Sequence, residues 1–169
     1  MQKKRSVTHK KDTTLRIVET AMAEELKASD FYKKVSTQLE DKAAKLKFDV
    51  MSDTEQRHYE LLRKWYEDNF GRSPGAVKIK TGKAVKVKKP EKKATYEDVI
   101  NIIINAEQKA CEFYEEAAKK TKDKEAKKLF DTLADMERAH VTQFKDEFRV
   151  ITEPSLWCAE EDIPWMLEV

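Results

Sequence analysis

Residues 25–32 read E-L-K-A-S-D-F-Y, and residues 107–114 read E-Q-K-A-C-E-F-Y. Glu, Lys, Ala, Phe and Tyr fall at the same places in both. The same offset of 82 residues takes Phe48 to Phe130, Asp53 to Asp135, Glu55 to Glu137 and His58 to His140. D-T-E-Q-R-H-Y at 53–59 therefore meets D-M-E-R-A-H-V at 135–141, each carrying a glutamate followed three residues later by a histidine. One register that spans both motifs marks an internal repeat.

Periodicity shows what is repeated. Apolar positions recur at alternating steps of three and four, the spacing of a helix face. The first stripe is Leu15, Val18, Met22, Glu25, Ser29, Tyr32, Ser36 and Leu39. The second is Ala44, Phe48, Met51, Glu55, His58, Leu62 and Trp65. The third is Tyr96, Ile100, Ile103, Glu107, Ala110, Tyr114 and Ala117, and the fourth Ala126, Phe130, Leu133, Glu137, His140, Phe144 and Phe148. Every stripe has a glutamate near its middle, and two add a histidine. Charge in that place needs a reason.

Punctuation divides the helices. Asp12 or Thr13 is placed to cap the first, and T-Y-E-D at 95–98 resembles a capping box for the third. Gly71 and the following S-P-G should stop the second. Only short turns, around Glu40 and Asp41 and around Thr121 to Asp123, separate helix one from two and three from four. Short turns make antiparallel hairpins.

Glu25 and Glu55 are 30 residues apart with their midpoint at residue 40, and Glu107 and Glu137 are 30 apart around residue 122. Residues equidistant from the turn of a hairpin stand at one height, here roughly 22 Å along the axis from each turn at 1.5 Å per residue. Two hairpins packed core to core would bring all four glutamates to one level, with His58 and His140 one turn away on the same faces. Four buried carboxylates repel one another strongly and need protons, basic partners or cations. No Lys or Arg occupies the stripes near them, whereas two divalent metals would balance four carboxylates and take the imidazoles as neutral ligands. Mixed oxygen and nitrogen donors suit iron or manganese better than a thiolate-seeking metal. One Glu from each of two helices with Glu-x-x-His from each of the other two is the ligand pattern of ferritin-like di-iron proteins.

At these residues the chain resembles the rubrerythrin-like branch of the ferritin superfamily. The E-x-x-A-x-x-F-Y and E-x-x-H elements of both halves carry the resemblance, over residues 14–149. It implies an all-α, ferritin-like four-helix bundle of two hairpins, and the sequence around that bundle reads as a basic arm at 1–13, a crossover at 71–94 inside the bundle region and a tail at 150–169. It further implies two irons per chain, with manganese or a mixed pair as alternatives. By the family's usual arrangement Glu55 and Glu137 bridge, Glu25 and His58 complete one metal, and Glu107 and His140 complete the other. The expected activity is oxidation of Fe(II) by hydrogen peroxide or oxygen, as a peroxidase or ferroxidase. Iron storage or delivery is one alternative, and hydroxylation of an organic substrate a second.

The chain departs from its relatives in three places. It has no rubredoxin module with paired CxxC elements, so electrons would come from a separate donor such as a rubredoxin-like protein. Ala110 stands where rubrerythrins carry an additional glutamate. Gln56 stands where bacterioferritins have a haem-ligating Met, so no haem is expected.

The rest of the sequence sets bounds. Charged residues make up 39% against 40% hydrophobic, which suits long amphipathic helices. A net charge of +2 gives no electrostatic case for nucleic acid or membrane binding. No apolar run reaches the roughly 18 residues that cross a bilayer. Without a secretory leader pattern or a CxxC pair, the expected location is cytoplasmic. Tyr32 and Tyr114, two turns beyond Glu25 and Glu107, are core tyrosines or hydrogen-bonding partners of the ligands. Cys111 reads as a small buried hydrophobe, and His9 as a solvated residue of the arm. V-K-I-K-T-G-K-A-V-K-V-K in the crossover reads either as a small β-hairpin or as a solvated linker. Ile102 and Ile104 make the third helix apolar on a second face, to be covered by the crossover, the tail or another subunit, and the resemblance to ferritin-like bundles, which often dimerise, implies a homodimer. Trp157, Ile163, Trp165 and Leu167 of the tail are expected to pack on the bundle or on a neighbour.

Overall fold

A computed structural model describes residues 2–71, 73–74 and 95–153, with side chains from residue 13 onward. Four helices follow in order: α1 (Gln2–Gln38), α2 (Lys42–Phe70), α3 (Tyr96–Lys120) and α4 (Lys124–Thr152). No strand occurs among the described residues. The crossover stretch with its expected hairpin or linker, the tail residues Trp157, Ile163, Trp165 and Leu167, and the surroundings of His9 lie outside them.

The ends follow local chemistry. Asp41 accepts from the Ala44 amide at 2.8 Å and starts α2, and its repeat counterpart Asp123 accepts from Ala126 at 2.9 Å and starts α4. Thr95 and Asp98 form the complete capping box of α3, each side chain accepting from the other's backbone N–H. Gly71 closes α2 in the left-handed region at φ 63°, where a residue with a Cβ is strained. Only the first start differs from expectation. α1 runs through Asp12 and Thr13 from Gln2, because that stretch has neither glycine nor proline to interrupt it, and a cap-competent residue need not cap.

α1 pairs with α2 and α3 with α4, so each half of the repeat is a helical hairpin. Two apolar clusters fill the bundle. One gathers Val18, Met22, Leu62, Tyr66, Tyr114, Phe130 and Leu133. The other gathers Tyr32, Val35, Phe48, Met51, Ile100, Ile103 and Phe144. Along α1 and α4 the chain passes from the first cluster to the second, and along α2 and α3 from the second to the first. α1 is thus parallel to α4, and α2 to α3. Gly71 and Thr95 consequently lie at opposite ends of the bundle. The stripes face inward as their periodicity requires, with one-residue shifts where Thr14, Tyr66 and Cys111 are buried more fully than the stripe residues Leu15, Trp65 and Ala110. Each fully buried Leu, Ile or Phe stabilises the fold by about 1.5–3 kcal/mol. Between the two clusters runs one polar layer.

Candidate metal centre

That layer holds Glu25, Glu55, His58, Glu107, Glu137 and His140, all six buried. Glu55, His58 and Glu137 are at most 2% exposed. They come from four helices, each at the midpoint of its stripe, as the hairpin heights require. Ionised groups at this depth cost several kcal/mol each unless they are compensated.

The donor atoms fall into two groups, each within 4.8 Å of one another. Glu25, Glu55, His58 and Glu137 make one, and Glu55, Glu107, Glu137 and His140 the other. Glu55 and Glu137 belong to both. His58 Nδ1 stands 3.0 Å from Glu137 Oε1, 3.2 Å from Glu55 Oε2 and 3.6 Å from Glu25 Oε2. His140 Nδ1 stands 3.2 Å from both Glu107 Oε2 and Glu137 Oε2, and 3.5 Å from Glu55 Oε1. The two imidazoles lie face to face, with centroids 5.4 Å apart and planes 13° from parallel. Glu55 Oε1, Glu137 Oε1 and His58 Nδ1 are buried without an aligned hydrogen-bond partner. His58 Nδ1 is therefore close to three carboxylates yet aligned with none of them. Donors that crowd together and leave orphaned atoms are what a bound cation would satisfy.

The electrostatics describe the same crowding. Burial, reinforced by Glu137, Glu25 and Glu107, raises Glu55 well above the carboxylate range against the opposing His58 contact. Burial likewise raises Glu107 to about 7, although His140 pulls it down. At Glu137 burial is outweighed by both histidines, which bring it to about 2. Burial opposes charge on His58, but contacts with Glu137, Glu25 and Glu55 push it up to about 12. His140 rises in the same way to about 10 through Glu107 and Glu137. Without metal the layer is thus an imidazolium–carboxylate cluster in which protons occupy the place of cations.

The tyrosines cross between hairpins. Tyr32 of α1 donates to Glu107 Oε1 of α3, and Tyr114 of α3 donates to Glu25 Oε1 of α1. Burial and the adjacent carboxylates raise both phenols well above their usual range, so both remain protonated donors. Sequence placed them near the site but could not say which glutamate each would serve. Cys111 is buried, with Sγ 3.5 Å from the Ala134 carbonyl, and burial raises its thiol. It packs beside the layer as a structural residue.

Two openings reach the layer, and neither was visible in the stripes. A cavity of about 80 Å³ lies between α1 and α3, with the four glutamates in its wall. A groove of about 890 Å³ lies between α2 and α4, with His58 and His140 in its floor.

The rubrerythrin family model matches residues 16–148, which spans all six residues. Among solved structures, the chain is similar to a hypothetical protein from Pyrococcus furiosus at 29% identity, covering 79% of this chain and 87% of that one with a TM-score of 0.65. It also shares its fold with CopM in silver-bound and Cu(II)-bound forms, at 17% identity and TM-scores of 0.59 and 0.56. Those alignments cover 80% of this chain and 95% and 96% of CopM. No curated protein matches the chain in sequence.

Proposed function

The chain belongs to the rubrerythrin family, and from that premise we propose that it is a non-haem di-iron oxidoreductase that oxidises Fe(II) with hydrogen peroxide or oxygen. The observation that carries the reading is the sharing of Glu55 and Glu137 between the two groups of donors. In this reading Glu55 and Glu137 would be shared between two irons, with Glu25 and His58 holding one and Glu107 and His140 the other. Bound there, a ferrous pair would supply two electrons, the number that with two protons takes hydrogen peroxide to two waters.

The side chains prepare that chemistry. Glutamate oxygens compensate the ions' charge, and the burial of the layer strengthens that attraction. The Tyr32 and Tyr114 hydroxyls fix the rotamers of Glu107 and Glu25 by hydrogen bonds, as partners of metal ligands commonly do. The apolar clusters above and below the layer limit water's access along the bundle axis.

Electrons for further turnover come, in this account, from a separate donor, since the chain's two cysteines form no CxxC pair. A free, buried Cys111 fits a reducing compartment such as the cytoplasm. No helix among the described residues is long and apolar enough to cross a membrane. A homodimer through α2 and α4 is favoured by Leu46, Val50, Leu61, Met136 and Val150, which are large, apolar and exposed on those two helices. Sedimentation at micromolar concentration tests it, and a monomer would rule it out.

The activity is tested by anaerobic Fe(II) loading followed by stopped-flow mixing with peroxide and with oxygen. Faster oxidation by peroxide, ending at the loaded iron, is expected. Mineral growth well beyond that iron would instead mark a storage protein.

A further inference from the structure

The groove of about 890 Å³ between α2 and α4 has Leu61 and Met136 on its walls, and they stay 40% and 37% exposed. Its cations differ from one another. Arg63 stands 3.0 Å from Glu60, and Lys64 3.2 Å from Asp68. Arg57, exposed on the same wall, has no ion pair among the described residues. Apolar surface beside an uncompensated cation marks an interaction site, here for a segment that is both apolar and acidic. We propose that the chain's own residues 154–169 lie in this groove and cover the imidazole side of the polar layer. This placement goes beyond the activity proposed above and does not depend on metal.

The chemistry of that segment matches the groove. From Pro154 to Val169 it has no Lys or Arg, and it carries Glu160, Glu161, Asp162 and Glu168. Pro164 biases Ile163 toward extended backbone, in which Ile163, Trp165 and Leu167 fall on one side at every second position. That side suits Leu61 and Met136, while the acids suit Arg57. The crossover fits less well, since its eight lysines between residues 78 and 93 bring like charge to Arg57.

Attachment to α4 gives the segment its reach. α2 and α4 are antiparallel with Glu55 and Glu137 in one layer, so Thr54 on the groove wall stands at the height of Arg138. Arg138 precedes Thr152 by 14 residues, about 21 Å at 1.5 Å per residue of helix. Cys158 follows Thr152 by six residues, which span about 20 Å at roughly 3.3 Å each. A chain that turns back at the end of α4 therefore brings Cys158 level with Thr54. The acids then come to the height of Arg57, with Ile163 in reach of Met136 and Leu61. A tether this short gives an effective concentration on the order of millimolar, which favours this segment over one from a separate chain. Leu46, Val50 and Val150 lie toward the other end of that face, where the second copy proposed above can use them.

Disulfide trapping in the full-length, metal-free protein tests the placement. Thr54 is half-buried and its hydroxyl donates to the Val50 carbonyl of its own helix, so Thr54→Cys leaves the packing of α2 in place. At low micromolar concentration, with diamide as a mild oxidant, this variant should form a disulfide with the native Cys158 of the same chain, read by peptide mapping. Asp30→Cys, exposed at nearly the same height on α1, should form none. Adding Arg57→Glu to Thr54→Cys should slow trapping by about two- to fivefold at low salt, and an unchanged rate overturns the pairing with Arg57. If Thr54→Cys lowers Tm sharply, Met136→Cys takes its place with the same expectation. No disulfide to Cys158, equal trapping by Asp30→Cys, or a disulfide formed only between two chains overturns the proposal. Because no metal is added, failure here leaves the proposed function standing. A chain that traps its tail but takes up no iron sinks that function and upholds the placement.

Discussion

The Tyr32 hydroxyl on α1 donates to the Glu107 carboxylate on α3, so a residue of one hairpin holds a charged group of the other. Tyr114 returns the relation to Glu25. Hydrogen bonds to charged groups contribute about 1.5–3 kcal/mol. Tyr32→Phe should therefore lower the unfolding free energy of the metal-free protein by about that amount in urea titrations. Tyr114→Phe should do the same, because its carboxylate is equally buried. A phenylalanine variant as stable as its parent would show that these contacts hold nothing.

In the proposed centre, the sharing of Glu55 and Glu137 would make metal content position-dependent. Each serves both groups, while Glu25 and Glu107 each serve one. Glu55→Ala or Glu137→Ala should abolish uptake at both positions. Glu25→Ala or Glu107→Ala should leave one ion bound at low free metal. Elemental analysis after dialysis distinguishes these patterns, and equal losses from all four variants would argue against two separate positions.

In the proposed centre, protons and metal would compete for the same atoms. His140 rises from 6.5 to about 10. Its contribution to the metal-free protein is complete below the unfolded value and disappears as pH rises through about 10. Glu137 is depressed from 4.5 to about 2, so its contribution is present above 4.5 and lost as pH falls through about 2. Glu107 is raised from 4.5 to about 7, and its contribution fades as pH climbs through that value. The metal-free Tm should therefore decline between pH 7 and 10. Metal uptake must expel the imidazole protons, so affinity should increase over the same interval. Thermal scans with and without metal check both slopes, and an affinity independent of pH would contradict the cluster.

Gly71 offers a control remote from the site. Its φ of 63° penalises a side chain, and a Cβ built there meets nothing within 4 Å. Gly71→Ala should cost about 1–2 kcal/mol through backbone strain alone. Metal content should not change.

Much of this was legible in the sequence because the repeat supplies two copies of each signal. The hairpin midpoints at residues 40 and 122 set the heights of the glutamates, and the structure brings the same six residues into one layer. Asp98 completes its capping box as its position three residues after Thr95 suggests. Less was legible where hairpin meets hairpin. Periodicity orders residues along one helix and its partner, but it does not say that Tyr32 reaches Glu107 rather than Glu25. The cavity beside Ala28 and Ala110 was hidden for the same reason, since a gap belongs to the packing of α1 against α3. The start of α1 was missed because capping residues are permissive, and nothing before Asp12 breaks a helix.

Anaerobic titration of the metal-free protein with Fe(II) tests the central claim most directly. Binding should saturate at about two ions per chain, the capacity of a ferritin-like carboxylate pair, and should vanish in Glu55→Ala/Glu137→Ala with the helical spectrum preserved. Saturation below one ion per chain, or equal binding by the double variant, would contradict the account.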